Sequence, residues 1–419
     1  MARPGFRVRA ARFSRLLLNG MRILITNGDE RAALATARSL VAAGYRVHVA
    51  ASRRSSLAGV SRGVRSWGVR SDPLDHPAHY AAEVGAVARA QGIDVLLPVT
   101  DPSVEALLEH PTALPNSIVL PLPDVETYRR ASDKVKTLDL ARAAGLDAPE
   151  SLVLPTPADR GILPAASFFP AVLKPHRSVI PAEVAGDVRK RKVGITYVDD
   201  PVSCRAALAA FPAGAFPVLL QRRVRGPGEG LFLLRWNGRV LAAFAHRRLR
   251  EKPPAGGVSV YRESIAPPPE LVAAGTRLLE LLDWRGVAMV ECKRDLATNR
   301  YVFMEVNGRL WGSLQLAIDA GVDFPALLVA CVLGREVAPV RDYRVGVRCR
   351  WFWGDVDHLY LRLTRSARAL HLNGARASRL AAVRDFCRFG RAHDREEIWR
   401  WRDPAPFIVE TLGRLGLGR

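Results

Sequence analysis

The segment Tyr301-Val-Phe-Met-Glu-Val-Asn-Gly-Arg309 decides the fold class, because it sets polar side chains at regular intervals along an apolar strand. Alternate residues of a strand share a face. We therefore expect one face to carry Phe303, Glu305, Asn307 and Arg309, and the other to carry Val302, Met304 and Val306. A carboxylate, an amide and a guanidinium in line need an occupant, unless this face simply meets solvent. Carboxylate and amide oxygens suit Mg²⁺ beside nucleotide phosphates, and a guanidinium suits phosphate oxygens.

A second carboxylate is expected next to this strand. Glu291 ends the apolar segment Gly286-Val-Ala-Met-Val-Glu291, and the turn-like residues 295–300 separate the two segments. This spacing predicts a β-hairpin that brings Glu291 beside Glu305. Two adjacent carboxylates repel each other unless a cation lies between them. The sequence therefore predicts a metal site formed by Glu291, Glu305 and Asn307.

Lysine is rare in this chain, since only seven of the 62 basic residues are lysines. A lysine that is kept in such an arginine-rich sequence is a candidate for a site that needs a compact ammonium group. Lys134 lies in Ser132-Asp133-Lys134, and Lys174 lies in Ala171-Val-Leu-Lys174-Pro175. Either lysine alone could be a solvated surface charge.

Together these segments resemble the ATP-grasp superfamily, in the type that ligates a carboxylate to an amine. Glu291 followed by Glu305-x-Asn307-x-Arg309 is similar to the family's metal and phosphate motif, and the two lysine segments look like its phosphate-binding segments. The resemblance runs from Met21 to about Leu333. It implies an enzyme that uses ATP and Mg²⁺, with Mn²⁺ as an alternative ion, to convert a carboxylate into an acyl phosphate. An amine then attacks, and ADP and phosphate are released.

The resemblance also implies roles for individual residues. The two acids and Asn307 would hold Mg²⁺ between ATP phosphates, and Arg309 would contact the γ-phosphate. Lys134 and Lys174 would contact the phosphates. The segment 219–224 resembles the hinge that binds adenine through its backbone, although an arginine stands at position 222, where the family usually has an acid. The remaining nucleotide-binding candidates are Gln221, Arg223, Val224 and Glu229.

Two further basic segments belong to the predicted site. Alternation along the strand 240–250 places His246, Arg248 and Arg250 on one face, and Arg248 is our candidate for gripping the substrate carboxylate. His246 could equally be an ordinary core or edge histidine. Residues 176–194 correspond to the family's phosphate-covering loop, and their basic run 189–192 would attract the triphosphate or simply face solvent.

We predict an α/β (α+β) chain. A β-α-β pattern from Met21 favours a Rossmann-like pre-ATP-grasp domain over about 21–122, without the G-x-G-x-x-G fingerprint of a dinucleotide site. A two-lobed ATP-grasp domain would follow over 123–340, beginning with one helix at 125–144. Residues 341–419 read as an arginine-rich, mainly helical region. Residues 1–20 are either a basic arm or a start codon assigned too early.

Charge and cysteine content limit the other classes of function. The net charge is +21, but much of the excess lies at the ends: residues 1–20 carry five arginines and no acid, and residues 341–419 carry 17 arginines against 9 acids. We therefore expect no specific nucleic-acid partner. Five scattered cysteines fit a reducing cytoplasm, and no segment is apolar enough to cross a membrane. A homodimer, a non-catalytic ATP-binding regulator, and an ATP-grasp carboxylase or kinase stay open.

Overall fold

The structure, a computed structural model, describes residues 20–184, 187–372, 378–390 and 393–417. The predicted basic arm therefore lies outside the described residues, except for Gly20. The chain begins with a parallel four-stranded sheet in the order β3-β2-β1-β4. Its strands are β1 (Arg22–Ile25), β2 (Arg46–Ala51), β3 (Val64–Gly68) and β4 (Val95–Leu97). Its helices are α1 (Arg31–Ala42), α2 (Pro77–Gln91) and α3 (Asp101–Glu109). The predicted β-α-β start is present.

The helix expected at 125–144 is two helices, α4 (Val125–Ser132) and α5 (Lys134–Ala143). Asp133 breaks the run because its backbone is extended, and its carboxylate accepts hydrogen bonds from the backbone N–H groups of Val135 and Lys136. This is an N-cap, which satisfies donors that the first helical turn leaves free. The break makes Lys134 the first residue of α5 and aims it at the site.

The next unit is a small lobe built on a four-stranded sheet in the order β5-β10-β6-β9. Its strands are β5 (Ser151–Leu154), β6 (Ala171–Pro175), β9 (Thr196–Val198) and β10 (Val218–Arg222). A separate hairpin, β7 (Val179–Val184) with β8 (Asp187–Lys192), occupies most of the predicted phosphate-covering loop. Helix α6 (Pro201–Ala210) packs against β9.

A seven-stranded sheet forms the large lobe, in the order β15-β14-β11-β12-β13-β16-β17. Its strands are β11 (Gly228–Trp236), β12 (Arg239–Lys252), β13 (Val258–Ile265), β14 (Gly286–Arg294), β15 (Tyr301–Asn307), β16 (Arg348–Arg350) and β17 (Asp394–Glu396). The helices are α7 (Pro269–Leu281), α8 (Leu314–Ala320), α9 (Phe324–Val332), α10 (Phe352–Thr364), α11 (Arg379–Cys387) and α12 (Ala405–Arg414). The region after 340 is therefore more than helix, since β16 and β17 complete the sheet.

One hydrophobic core joins the N-terminal domain to the large lobe. The same buried cluster contains Ile23 and Val47 of the parallel sheet and Phe232 and Phe244 of the large sheet, together with residues of α8 and α9. The opposite face of the large sheet packs on α5 and α7 through a second cluster around Trp284. Because the domains share a core, side chains from the N-terminal domain reach the site at fixed positions.

No single helix among the described residues is long and apolar enough to cross a membrane. Only the pair α8 and α9, bent by 90° at a short break, would pass such a test together by length and composition.

A buried ion-pair cluster attaches the C-terminal region to the large sheet. Asp355 of α10 is fully buried, and its two carboxylate oxygens accept hydrogen bonds from Arg250 at 2.6 and 2.7 Å. Arg350 of β16 is 2.6 Å from the same carboxylate. Removing one partner from such a cluster leaves buried charge without compensation.

We therefore expect Asp355→Ala to lower the free energy of unfolding by about 3–5 kcal/mol. Asp357→Ala is the matched control, because Asp357 pairs with Lys252 and Arg414 while it is partly exposed, and its loss should cost about 1 kcal/mol or less. Urea denaturation of both variants measures the difference. Equal losses would show that the buried cluster does not attach the C-terminal region as described.

Candidate active site

A cavity of about 380 Å³ lies between the four-stranded sheet of the small lobe and the seven-stranded sheet of the large lobe. Its wall on the small lobe comes from β6 and β10, and its wall on the large lobe comes from β12, β14 and β15. Most of the residues predicted for the site line it: Lys174, Gln221, Arg223, Val224, Arg248, Glu291, Glu305, Asn307 and Arg309.

The predicted hairpin is present, and its register sets the two acids side by side. Glu291 pairs with Glu305, and Met289 pairs with Asn307. A β-bulge follows, so that Cys292 pairs with Phe303 and Met304 is the extra residue. The expected alternation is therefore wrong at this end of the strand. Phe303 is buried in the core on the far face of the sheet, and Met304 lines the cavity beside Glu305.

Two lysines from different elements surround Glu305. The ammonium group of Lys134 is 3.4 Å from Glu305 and donates a hydrogen bond to Ser178, and Asn307 donates one to Glu305 at 3.2 Å. Burial disfavours the charged form of Glu305, but Lys134 and Lys174 outweigh it and hold the pKa of this carboxyl below its usual range. Burial, with Lys134 nearby, lowers the pKa of Lys174 to about 8.

Arg309 is held by an acid that comes from the N-terminal domain. Asp101, the first residue of α3, accepts a hydrogen bond from Arg309 at 2.8 Å and another from the Tyr128 hydroxyl at 2.8 Å. Burial opposes ionisation of Asp101, yet Arg309 holds its pKa below the usual range. The guanidinium of Arg309 is thus fixed in place while its side chain still lines the cavity.

Arg248 is already engaged by two acids. It is 2.6 Å from Glu291 and donates to Glu251 at 3.0 Å and to the backbone oxygen of Gly257 at 3.2 Å. A bulge after Arg248 breaks the expected alternation, so Arg250 leaves this face and binds Asp355 instead. The prediction that His246, Arg248 and Arg250 act together is therefore wrong for Arg250.

The predicted hinge lines the cavity along the last residues of β10 and the loop that follows. Gln221 is buried and donates to Ser151, whereas Arg222 is exposed and pairs with Glu150. Arg223 donates to the backbone oxygen of His371, and Lys293 donates to that of Val224 at 3.4 Å. Arg222, the arginine at the family's acidic position, is thus largely exposed while it still contributes to the lining of the cavity.

Glu229 does not lie at this cavity, which corrects its predicted place. On β11 it pairs with Cys292 and Arg247, so its side chain occupies the face opposite to Glu291. There it is buried and accepts a hydrogen bond from Arg247 at 3.0 Å. Gly228 and Gly230 take the cavity face instead.

Basic residues that follow Lys174 in the chain form ion pairs within the protein. Lys190 lies 2.6 Å from Glu109 and 3.2 Å from Glu105, and Arg177 lies 2.5 Å from Glu105. These acids belong to α3, so the hairpin β7–β8 is docked on the N-terminal domain. Lys190 could reach a phosphate only by breaking both of its ion pairs.

Sequence reasoning missed several residues that line the same cavity: Arg31, Tyr197, Glu251, Ser259, Lys293 and Trp311. Lys293 carried a usable signal, since it is one of the seven lysines and follows Glu291 by two residues on the same face of β14. Arg31 carried none, because only the tertiary fold brings α1 to this cavity.

The donor set at the paired acids fits a magnesium ion. Two carboxylates and one amide oxygen converge at neighbouring strand positions, and Mg²⁺ completes such a set with water and phosphate oxygens. Among the described residues there is no cluster of three or more His, Cys, Asp or Glu side chains that would suit a metal held by protein alone.

Comparison with known proteins agrees with this architecture. Residues 217–354 match a family model described as "ATP-grasp in the biosynthetic pathway with Ter operon". Among curated protein sequences none matches. A structure of L-amino acid ligase from Bacillus licheniformis has a TM-score of 0.57 at 18% identity, covering 77% of this chain and 78% of that one.

Two other solved structures are similar over the same extent. N5-carboxyaminoimidazole synthetase from Staphylococcus aureus, complexed with ADP, has a TM-score of 0.59 at 13% identity, covering 79% of this chain and 82% of that one. A biotin carboxylase–β-γ-ATP complex from Campylobacter jejuni has a TM-score of 0.58 at 16% identity, covering 78% and 74%. This chain has the ATP-grasp fold. The predicted fold class is confirmed, and the family model supports the predicted resemblance over residues 217–354.

The lowered pKa of Lys174 predicts that ATP binding takes up a proton. Phosphate charge favours the ammonium form, so affinity should be highest below pH 8 and fall by up to about tenfold per pH unit above it. At pH 8.5, calorimetric titration with Mg-ATP in two buffers of different ionisation enthalpy should reveal the uptake.

Lys174→Arg should abolish the uptake, because a guanidinium stays charged in this pH range. The matched control is Lys293→Arg, since burial also lowers the pKa of Lys293 in the same cavity. If only the control variant abolished the uptake, the titrating group would be Lys293 and the role given to Lys174 would be wrong.

Proposed function

We propose that this chain is an Mg-ATP-dependent ligase that activates a carboxylate as an acyl phosphate and joins it to an amine. One observation carries the proposal: Lys174, the paired acids, Asn307 and Arg309 line one cavity between two sheets, and Lys134 contacts Glu305 from α5. A purely structural role would not require this set of charges to face an open cavity.

The nucleotide would lie between the lobes. Its adenine would follow the hinge at Gln221, Arg223 and Val224, and its phosphates would lie near Lys134 and Lys174. Glu291, Glu305 and Asn307 would hold Mg²⁺, or Mn²⁺, which accepts the same oxygen ligands. When bound, the ion neutralises phosphate charge and orients the γ-phosphate for attack.

The protein's own groups would serve the two chemical steps. A substrate carboxylate oxygen attacks the γ-phosphorus, and the bond to ADP breaks; Arg309, fixed by Asp101, stabilises the oxygens of the transferred group. The amine then attacks the acyl carbon, phosphate leaves, and the nitrogen loses a proton. Arg248 is our candidate for orienting the carboxylate, and it would have to share its charge with Glu251 and Glu291.

Other functions are weighed against the same contacts. A non-catalytic ATP-binding protein would not need Arg309 held toward the place of the transferred phosphoryl group. A carboxylase or kinase would use the same nucleotide site with another acceptor. Phosphate release that needs both a carboxylate and an amine, and does not occur with either alone, would indicate a ligase.

A cytosolic location, small-molecule substrates and no specific nucleic-acid partner complete the proposal. All five cysteines are free, which fits a reducing compartment. A homodimer stays a prediction.

Mg-ATP should stabilise the protein more than ATP with a chelator does, because the paired acids repel phosphate until a cation neutralises them. At a concentration 100 times the dissociation constant, the gain in the free energy of unfolding should be about 2.7 kcal/mol, read as a rise in Tm.

Glu305→Gln should remove the magnesium dependence and turnover while the apolar packing stays intact. Glu150→Gln, at an exposed position, is the control. No response to ATP with or without Mg²⁺ would rule out the nucleotide site.

Arg309→Ala should lower turnover by about 10²-fold or more, with a smaller effect on ATP affinity, because its contact strengthens as charge moves onto the transferred group. Lys174→Ala should instead weaken ATP binding. Phosphate release at saturating substrate and calorimetric ATP titration measure the two effects. Asp101→Asn is the matched variant, since it keeps Arg309 and removes only its counter-charge. Normal turnover of Arg309→Ala at saturation would show that its assigned role is wrong.

A further inference from the structure

One end of the cavity carries buried polar groups that the proposed phosphate chemistry does not use. They come from four elements or loops: Arg31 from α1, His246 from β12, Ser259 from β13 and Trp311 from the loop after β15. Phe232 contacts both rings, with centroid distances of 4.7 Å to His246 and 4.4 Å to Trp311. The rings of His246 and Trp311 therefore lie in one neighbourhood, beside the loop that follows Arg309.

Trp311 presents an unused donor to this neighbourhood. Its ring is 2% exposed and packs between Phe232 and Phe324, which fixes its orientation. Within the part of the chain that the structure describes, its Nε1–H has no hydrogen-bond partner. A buried tryptophan N–H normally finds an acceptor. An acceptor on a ligand in the cavity would satisfy it.

His246 and Ser259 are in the same state. His246 is 1% exposed, and over the described ranges neither ring nitrogen has a hydrogen-bond partner; the same holds for the Ser259 hydroxyl. Burial, followed by Arg248 and Arg262, holds the pKa of His246 well below its usual range, so the ring is neutral. A neutral imidazole offers one donor and one acceptor, and a hydroxyl offers the same pair.

Arg31 brings a guanidinium group to this neighbourhood. One nitrogen of its guanidinium is 2.5 Å from Glu397, and Arg262 is 2.5 Å from the other oxygen of the same carboxylate. Two guanidinium groups thus contact one carboxylate, and Glu410 also interacts with the charge of Arg31. The second nitrogen of Arg31 lies next to Gly312, where an added Cβ would be 3.2 Å away, and Trp351 fixes the group by stacking at 4.1 Å.

We propose that this end of the cavity binds a carboxylate of a substrate that does not itself react. This inference rests on the proposed function, in which the reacting carboxylate lies beside Arg309 and the metal ligands. A carboxylate held by Arg31 and Trp311 would therefore be a second carboxylate. A carboxylate binds well to a guanidinium group that is accompanied by N–H and O–H donors without partners, because these donors form charge-assisted hydrogen bonds with its oxygens. Two sources share this chemistry: an amino acid that supplies the amine, or a dicarboxylic acid that supplies the acyl group.

The experiment uses the full chain with Mg²⁺ and the non-hydrolysable analogue AMP-PCP. Ligand-observed NMR is run against a pool of L-amino acids and a pool of dicarboxylates from malonate to adipate, with the matching amino acid amides and diamides as uncharged partners. We expect at least one carboxylate to bind and its amide to bind at least about tenfold more weakly, since a charge-assisted contact is lost. The pool that contains the ligand identifies the source.

Variants then tie the binding to these residues. Arg31→Gln and Trp311→Phe should each weaken the carboxylate by at least about tenfold and leave AMP-PCP affinity within about twofold. Trp311→Phe keeps the ring packing and removes only the N–H. Arg38→Gln is the matched control: it lies on the same helix and pairs with Asp403 of the C-terminal region, outside the cavity.

Three results would overturn the inference: no member of either pool binds, an amide binds as well as its acid, or both variants bind the carboxylate like the wild type. Failure of the wild type to bind AMP-PCP would overturn the proposed function instead. The carboxylate titration, repeated without nucleotide, would still decide the role of this subsite.

Discussion

The structure of this site depends on two carboxylates that the fold forces together. Glu291 and Glu305 occupy a directly paired position on β14 and β15, where side chains stand within about 5.5 Å of each other. Two unit charges at 4 Å repel by about 4 kcal/mol at an effective dielectric of 20. The surrounding cations oppose this repulsion: Arg248 contacts one acid, and Lys134 with Lys174 stabilises the other. The fold therefore holds this pair of acids together with a cation of the protein beside each member.

This constraint explains why the site draws on the whole chain. The segment that matches the ATP-grasp family model carries Arg248, both acids, Asn307 and Arg309. Lys134 and Lys174 precede it, however, and the counter-charge of Arg309 is Asp101 of the N-terminal domain. Arg31 reaches the cavity from α1 and is held there by Glu397 of the C-terminal region. A shared core keeps these distant groups in register, so the matched segment alone would lack half of its charges.

The sequence was informative where chemistry and local spacing coincide. The hairpin, the paired acids and the two lysines follow from alternation, a turn and the rarity of lysine. Two β-bulges could not be predicted in this way, because one extra residue in a strand does not change the composition of the segment. They moved Met304 into the cavity and Arg250 out of it. Glu229 was misplaced for a related reason: within a glycine-rich turn, the pairing with β14 decides which face a residue takes.

The choice between lysine and arginine at this site follows from burial. Arg248 and Arg309 each face an acid, which raises the pKa of an already strong base, so both stay charged at any working pH. Lys174 and Lys293 are buried without so close an acid, and their pKa values fall. An arginine would keep its full charge at those positions. Above about pH 8, Lys174 can instead lose its proton and regain it when a phosphate group binds, whereas an arginine at this position would stay charged throughout.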